Sequence, residues 1–299
     1  MKPLGKVMEW MNRYFALYKI AELGSFTRAA EALGYTQSAL SQMIASLENE
    51  LSIKLLIRSH TGAQLTLEGA ELYPFVERLV YQYRAVQEKA NEIKGLETGV
   101  IRIGTISSIS AHWLPGLLKG FQKEYPHVEF VLHQGDYTLF QEWLKTGAID
   151  FAFVNPAAVS GIKTVVLKEG SMLAVLPEHH PLAQLEVVPL KALAEESYIL
   201  MEEGHYSEPL EAFRECGLTP NIRYTIHDDY SIMTMVEAGL GVSILAELVL
   251  HRAPYNLALR PTVPAVSRTL AVGYRDKNSL PIASKYFIDY LIHHVDELP

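Results

Sequence analysis

Thr36, Gln37, Ser38, Ser41 and Gln42 crowd five uncharged hydrogen-bonding side chains into one short stretch of the chain. Amides and hydroxyls suit the edges of base pairs, where each can donate or accept, and the nearby Ala45 can touch a thymine methyl. The chemistry on offer is recognition. Phosphate would be gripped separately by Arg28 and Arg58, with Ser25 and Thr27 capping a helix or touching the DNA backbone. A second set lies far along the chain: Ser107 and Ser108 follow a hydrophobic run, Gln134 and Asn155 follow the next two, and the stretch from Glu202 to Tyr206, with Glu202 and His205, and the pair His227-Asp228 follow later ones, either as ligand contacts or as solvated loop residues. Serine hydroxyls and free amides at a helix start favour an anion or a carbonyl oxygen. The acids suit an amine or a hydroxylated ligand better than a simple dicarboxylate. Nothing here is arranged for bond-breaking, since the chain has no dinucleotide fingerprint, Walker-type phosphate loop, GxSxG elbow or HExxH motif. The adjacent pairs His179-His180 and His293-His294 point to different faces of any regular element and chelate poorly. No catalytic residue, cofactor or metal site is expected.

Two short helices must position the first set. Within residues 25–51, Phe26, Ala29, Ala30 and Leu33 recur at i, i+3, i+4 and i+7 and form one buried face, whose alanines let another helix approach closely. Gly34 ends that helix in the left-handed conformation and Thr36 caps the next. The second helix buries Leu40, Met43, Ile44, Leu47 and Leu51 and turns Ser38, Ser41, Gln42 and Ala45 outward. A face of Ser, Gln and Ala that avoids Glu and Lys is built to lie flush against something, and a DNA major groove fits it. The bland alternative is a helical hairpin with an ordinary surface. From Lys54, two extended runs around Thr61-Gly62 give a hairpin with Arg58 and His60 near its tip.

The run AELGSFTRAAEALGYTQSALSQMIASLENELSIKLLIRSHTGAQLTLEG resembles the winged helix-turn-helix of the LysR-type transcriptional regulators, and the likeness continues through nearly the whole chain. Two departures stand out. Gln42 stands where many relatives have Arg, which removes a phosphate or guanine contact common in the family, so half-site preference does not carry over. Leu51-Ser52 and Leu55-Leu56 replace the family's Leu-Gly and Leu-Phe pairs and are expected to be changes of packing that leave function alone.

Residues 7–23 make an amphipathic helix, with Met11, Tyr14, Phe15, Tyr18 and Ala21 toward the helix pair. After the hairpin, Thr66 caps a long helix over 67–94 in which Leu72, Val76, Leu79, Tyr83, Val86, Ala90 and Ile93 keep alternating spacings of four and three. A seam so narrow asks for a partner helix, so the chain is expected to dimerise here; the alternative is a helix packed on its own body. Pro74 should kink or fray the first turns. The resemblance adds dimers that associate into tetramers.

From Val100 the period changes. Strands over 100–106, 128–132 and 151–154 alternate with helices over 111–124 and 138–146, as in a parallel doubly wound sheet. A second unit repeats the pattern with strands over 172–176, 198–201, 222–225 and 242–245, and a strand over 270–274 with a helix over 282–294 returns to the first. The expected fold is therefore α+β and multidomain: a winged helix-turn-helix over 1–67, a linker and dimerisation helix over 68–97, and a two-lobed α/β effector-binding domain over 98–299. Lobe I takes about 98–166 and 267–299, and lobe II about 167–266. Joined lobes leave a cleft beyond the carboxyl ends of the strands, where ligands sit. The strings RIGTISSISAHWLPGLLKGFQKEYPHVEF, TGAIDFAFV and VEAGLGVSIL resemble landmarks of the LysR effector domain, which is of the type 2 periplasmic-binding-protein-like kind. That resemblance implies a small-molecule inducer in the cleft, of unstated identity. It also implies double-stranded promoter DNA, a second copy of the chain and RNA polymerase as partners.

Composition bounds the rest. With 299 residues and 49% of them hydrophobic, the chain can build about two cores. It has no run of eighteen apolar residues, and its start lacks the apolar stretch and cleavage site of a signal peptide, so a cytoplasmic protein with no membrane partner is expected. The single Cys216 excludes an intramolecular disulfide and, beside Gly217 at a helix end, is expected to be a packed small side chain. The net charge of -8 divides into +2 over residues 1–67 and -10 over the remainder, a mildly basic head on an acidic body. That division suits a DNA reader that binds through one end. The rival readings are a solute-binding protein and an enzyme on a two-lobed scaffold. The missing leader counts against the first and the missing acid, base or nucleophile arrangement against the second.

Overall fold

The computed structural model describes residues 4–59, 62–94, 99–251 and 253–299. It forms two compact units, Met1–Glu88 and Lys89–Pro299. In the first, helices α1 (Leu4–Leu23), α2 (Phe26–Leu33) and α3 (Gln37–Leu51) precede the hairpin β1 (Leu56–Ser59) and β2 (Gly62–Leu65), and α4 (Leu67–Lys94) follows. The helix boundaries have local causes. Ser25 Oγ accepts the Arg28 amide hydrogen, Gly34 takes a φ of 69° behind α2, and Thr36 Oγ1 accepts from the Ala39 amide. Phe26, Ala29, Ala30, Leu40, Ile44 and Leu47 then pack into one core. The inward face of α1 holds the expected Tyr14, Phe15 and Tyr18 against the head core but is centred on other residues. Ala16, Leu17 and Ile20 are its fully buried positions, whereas Met11 and Ala21 are only half-buried. Tyr18 is buried too, with its hydroxyl 3.3 Å from that of Tyr81, and the small Ala16 permits the close approach.

The end of α3 has its own explanation. Ser52 is the one non-glycine residue with a left-handed backbone among the described residues, at φ 58° and ψ 31°. The departure at Leu51-Ser52 is thus conformational, and not the change of packing expected from its sequence. A serine in that region costs about 1 kcal/mol or more. Ser52→Gly should therefore stabilise the head by about 0.5–1 kcal/mol once the larger unfolded-state entropy of glycine is counted, read as a higher denaturant midpoint. Just before it, Glu48 is buried and accepts from the Leu55 amide at 2.9 Å, the Leu56 amide at 3.3 Å and the Lys54 ammonium at 2.6 Å. Burial opposes its charge, but the bonds from Lys54 and the two amides outweigh burial and hold the carboxyl below its ordinary value. Glu48 so ties α3 to the first strand of the hairpin. On the other side the Ala63 amide donates to Gly24 O at 2.8 Å, and the hairpin is fixed against the turn between α1 and α2.

Thr66 Oγ1 accepts the Gly69 amide hydrogen at 2.9 Å and starts α4. The helix runs unbroken through Pro74, so the expected fraying does not occur. Pro74 is exposed, and the one carbonyl it leaves unpaired can be hydrated. Leu72, Val76, Val80 and Tyr81 pack on the head core, which satisfies the first part of the expected seam within the chain. Phe75, Tyr83 and Val86 remain exposed. His60, Thr61 and the side chains of Arg58 and Ile93 lie outside the described part.

In the second unit, β3 (Gly99–Thr105), β4 (Val128–Gln134) and β5 (Phe151–Val154) run parallel in the order β5-β3-β4, with α5 (Ser107–His112), α6 (Leu114–Glu124) and α7 (Tyr137–Thr146) between them. Next to β5 comes β13 (Val266–Tyr274), antiparallel, and next to that β6 (Lys163–Pro177). The far half of β6 pairs with β10 (Ser243–Ala246) and β11 (Leu257–Arg260). The result is one seven-stranded sheet of mixed direction, in place of two parallel sheets, because β6 and β13 run on from one lobe into the other. Lobe II adds the short pair β7 (Val188–Pro189) and β12 (Thr262–Val263), the parallel pair β8 (Ser197–Met201) and β9 (Asn221–Ile226), and helices α8 (Leu190–Glu195), α9 (Glu208–Glu215), α10 (Asp229–Glu237) and α11 (Glu247–Leu250). α12 (Ile282–His294) returns to lobe I, whose core is aromatic: Trp113, Phe121, Phe140, Phe151, Phe153 and Phe287 are all buried. Cys216 ends α9 and is exposed, contrary to the expected packing. Its amide serves the helix end and Gly217, at φ 67°, turns the chain away, which leaves the thiol in solvent. Among the described residues no helix is long and apolar enough to cross a membrane.

Candidate functional site

Two sites emerge, one in each unit. On α3 the side chains of Thr36, Gln37, Ser38, Gln42 and Ala45 are exposed along one uncharged face. Neighbours hold that face in order. The Ser41 hydroxyl donates to Gln37 O at 2.9 Å and accepts from Gln37 Nε2 at 3.2 Å, while Thr36 Oγ1 and Ser38 Oγ share a hydrogen bond of 3.0 Å. Ser41 is half-buried and orients Gln37. Ser25 spends its hydroxyl on the cap of α2, and Thr27 beside it is exposed. The Arg28 guanidinium is also exposed and donates to the Leu23 carbonyl. Arg58 lies on β1 opposite Ala63.

In the body a cavity of about 280 Å³ opens between the two lobes, beyond the carboxyl ends of β3 and β4. Ser107, Ser108, Gln134, Glu202 and His227 line it. Asn155, His205 and Asp228 do not. Asn155 is buried, caps the turn at Ala157 and donates to Glu208 Oε1 at 2.9 Å. Asp228 caps α10 through the amide and hydroxyl of Ser231. His205 clasps the lobes, with Nδ1 2.7 Å from Thr138 Oγ1 and Nε2 2.8 Å from Ala158 O. The stretch from Ser107 to Ser110 is also different from the expected loop, since it is already the first turn of α5, and no hydroxyl caps that helix. These serines are instead bonded to charged groups: Ser107 donates to Asp229, and Ser108 accepts from Arg268 Nη2 at 3.0 Å.

Arg268, Asp229, Tyr137 and the buried Glu208 escaped the sequence reading, whereas Glu203 fell within the acidic stretch from Glu202 to Tyr206. Arg268 is only 5% exposed, and its Nη1 lies 4.0 Å from Glu203 Oε1. Asp229 and Glu203 line the cavity beside it, and Tyr137 donates to Glu208 Oε1 at 3.2 Å at its floor. Burial first, and then the neighbouring Glu208 carboxylate, push the Glu203 carboxyl up to about 8, against the opposing pull of Arg268. Burial likewise raises Asp229, and the Ser107 hydrogen bond and Arg268 only partly offset it. One signal was available in the sequence: Arg268 is a lone cation within the apolar strand β13.

Residues 94–296 match the family model described as LysR substrate binding domain, and residues 11–70 match the one described as bacterial regulatory helix-turn-helix protein, lysR family. The HTH-type transcriptional regulator YvbU of Bacillus subtilis is 34% identical over 274 residues, 91% of this chain and 94% of its own length. The transcriptional dual regulator GltC of the same organism is 29% identical, with 96% and 97% covered. Among solved structures, full-length OxyR from Pseudomonas aeruginosa is similar with a TM-score of 0.69 at 24% identity, over 97% of this chain and 98% of that one. CbnR complexed with its target DNA gives 0.70 at 19% identity, over 95% and 99%. These last two likenesses are of fold alone.

Proposed function

The chain belongs to the LysR family of transcriptional regulators, and we propose that its α3 enters the major groove of promoter DNA, with Gln37, Ser38 and Gln42 nearest the bases. The exposed, uncharged face from Thr36 to Gln42 carries this reading, because an ordinary solvated helix face would hold acids and lysines. Arg28 and Arg58 take phosphates beside it, with Thr27 on the DNA backbone. Two copies joined along α4 place two heads on two half-sites, as a regulator of this kind requires. The interlobe cavity takes a small-molecule effector, and its occupancy changes the arrangement of the heads and the recruitment of RNA polymerase. Such a protein works in the cytoplasm, where its promoters are, and catalyses no reaction.

A gel-shift series over several salt concentrations tests the assigned face. Gln37→Ala should cut the preference for operator over random DNA by about tenfold, in line with the loss of one good base contact, and leave the salt dependence alone. Ser41→Ala should do the same more weakly, since it only frees Gln37. Arg58→Ala should weaken both DNAs equally and lower the salt slope by about one. Undiminished preference after Gln37→Ala would move the reading helix face elsewhere.

A further inference from the structure

The ligand class of the interlobe cavity follows from its charge, on the reading that this cavity is the effector site. Glu203 and Asp229 line it beside a single guanidinium, Arg268, and the buried Glu208 adds its charge to theirs. Arg268 lies 4.0 Å from Glu203 and donates to Ser108, and the charges of Glu208 and Asp229 act on it as well, so its single charge is outweighed before any anion enters. At the rim, His227 pairs with Glu202 at 3.4 Å, and Asp136 is taken up in capping α7. An anionic effector would thus enter a site with an excess of carboxylates, which repel it. A second observation points the same way. Glu208 is 4% exposed and its Oε2 has no hydrogen-bond donor, although Oε1 has two. Even with a proton on Glu203, two carboxylates face one guanidinium, so the cluster lacks one positive charge.

We propose that the cavity binds a small organic cation, a protonated primary amine carrying an apolar body, with its ammonium against Glu203 and Asp229. A metal ion is the poorer candidate, because among the described residues no three His, Cys, Asp or Glu side chains are placed to hold one. The walls fit an apolar body: Leu139, Met172, Met201 and Val249 line the same space. Without a ligand, a proton on Glu203 removes one of the excess negative charges. The groups facing that proton are Glu208 from α9, Tyr137 from α7, Asp229 from α10 and Arg268 from β13. An ammonium takes over its role, so binding expels it.

The test uses the full-length protein and three matched probes: 2-phenylethylamine, the neutral 2-phenylethanol and the anionic 3-phenylpropanoate. Calorimetry and thermal shift should show the amine binding at least about tenfold more tightly than either isostere. Titrations at about pH 6.5 in two buffers of different ionisation heat should show a proton released. Glu203→Gln and Asp229→Asn should each weaken the amine by about tenfold or more. Glu203→Gln should melt no lower than the parent without ligand, which shows that the variant folds. Preference for 3-phenylpropanoate, abolished by Ser107→Ala, would refute the cation while keeping the cavity as the effector site. Amine binding that both substitutions leave untouched would remove the cavity itself. Failure of the amine to bind at about 10 mM overturns the cation proposal.

Discussion

Arg268→Met should destabilise the body by about 3–5 kcal/mol, the range found when one member of a buried charge cluster is removed and the others are left facing each other. Methionine matches the length of the aliphatic stem, so the loss is of charge and hydrogen bonds and little of packing. Glu203, Glu208 and Asp229 would then have only protons to neutralise them. The pH dependence follows from the Glu203 carboxyl, whose folded value of about 8 lies above its ordinary one. A carboxyl raised in this way contributes stability that is fully present below its unfolded value and is lost as pH rises through the folded one. Urea melts at about pH 6 and pH 8 should therefore show a larger penalty for Arg268→Met at the higher pH, and adding Glu203→Gln should recover part of it. A variant as stable as its parent at pH 8 would show that the guanidinium is not the counter-ion of this cluster.

That cluster also shows how far the sequence can be read. The helix pair of the head was legible because each of its signals is local: Ser25, Gly34 and Thr36 set the ends, and apolar residues at helical spacing set the faces. The strand Phe151–Val154 and the helix Ile282–His294 were equally plain, the first from four apolar residues in a row and the second from its length and periodicity. In the cleft the stretch from Glu202 to Tyr206 held Glu203, but at the next strand end the reading stopped one residue short, on Asp228 beside Asp229. At a strand end a shift of one position moves a side chain to the opposite face, and nothing local marks the phase. Asp228 was the better cap, and it was used as one, which left Asp229 to turn inward. The course of β6 was hidden for a different reason. Lys168, Glu169 and Gly170 interrupt its apolar pattern, and it is held there by β13, about a hundred residues later, a partner no local window contains.

Charging the exposed side of α4 should convert the regulator to monomers. Val76 and Val80 face the head core and are buried, whereas Phe75 and Val86, 63% and 65% exposed, stand on another side with Ala90 exposed along the same stripe. One exposed apolar residue is ordinary, but Phe75, Leu79, Tyr83, Val86 and Ala90 return at three- and four-residue spacing along a helix of 28 residues and form a seam that a second copy can bury. Arg78 stacks on the Phe75 ring, with its guanidinium carbon 4.6 Å from the centroid, so one face of that ring is covered already and Val86 is the cleaner probe. The variant with both Phe75→Glu and Val86→Glu should keep the parent's melting behaviour to within about 1 kcal/mol, because neither side chain belongs to the head core. Its mass in solution should fall to the 33.5 kDa of a single chain. Affinity for an operator with two half-sites should fall by about 10²–10⁴, the advantage that linking two heads provides, while affinity for a lone half-site stays put. Binding of the cavity ligand should also persist, since the cavity is built wholly within the second unit. If the doubly charged variant remains a dimer at micromolar concentration, the association surface lies off this helix and the two heads are spaced by some other part of the chain.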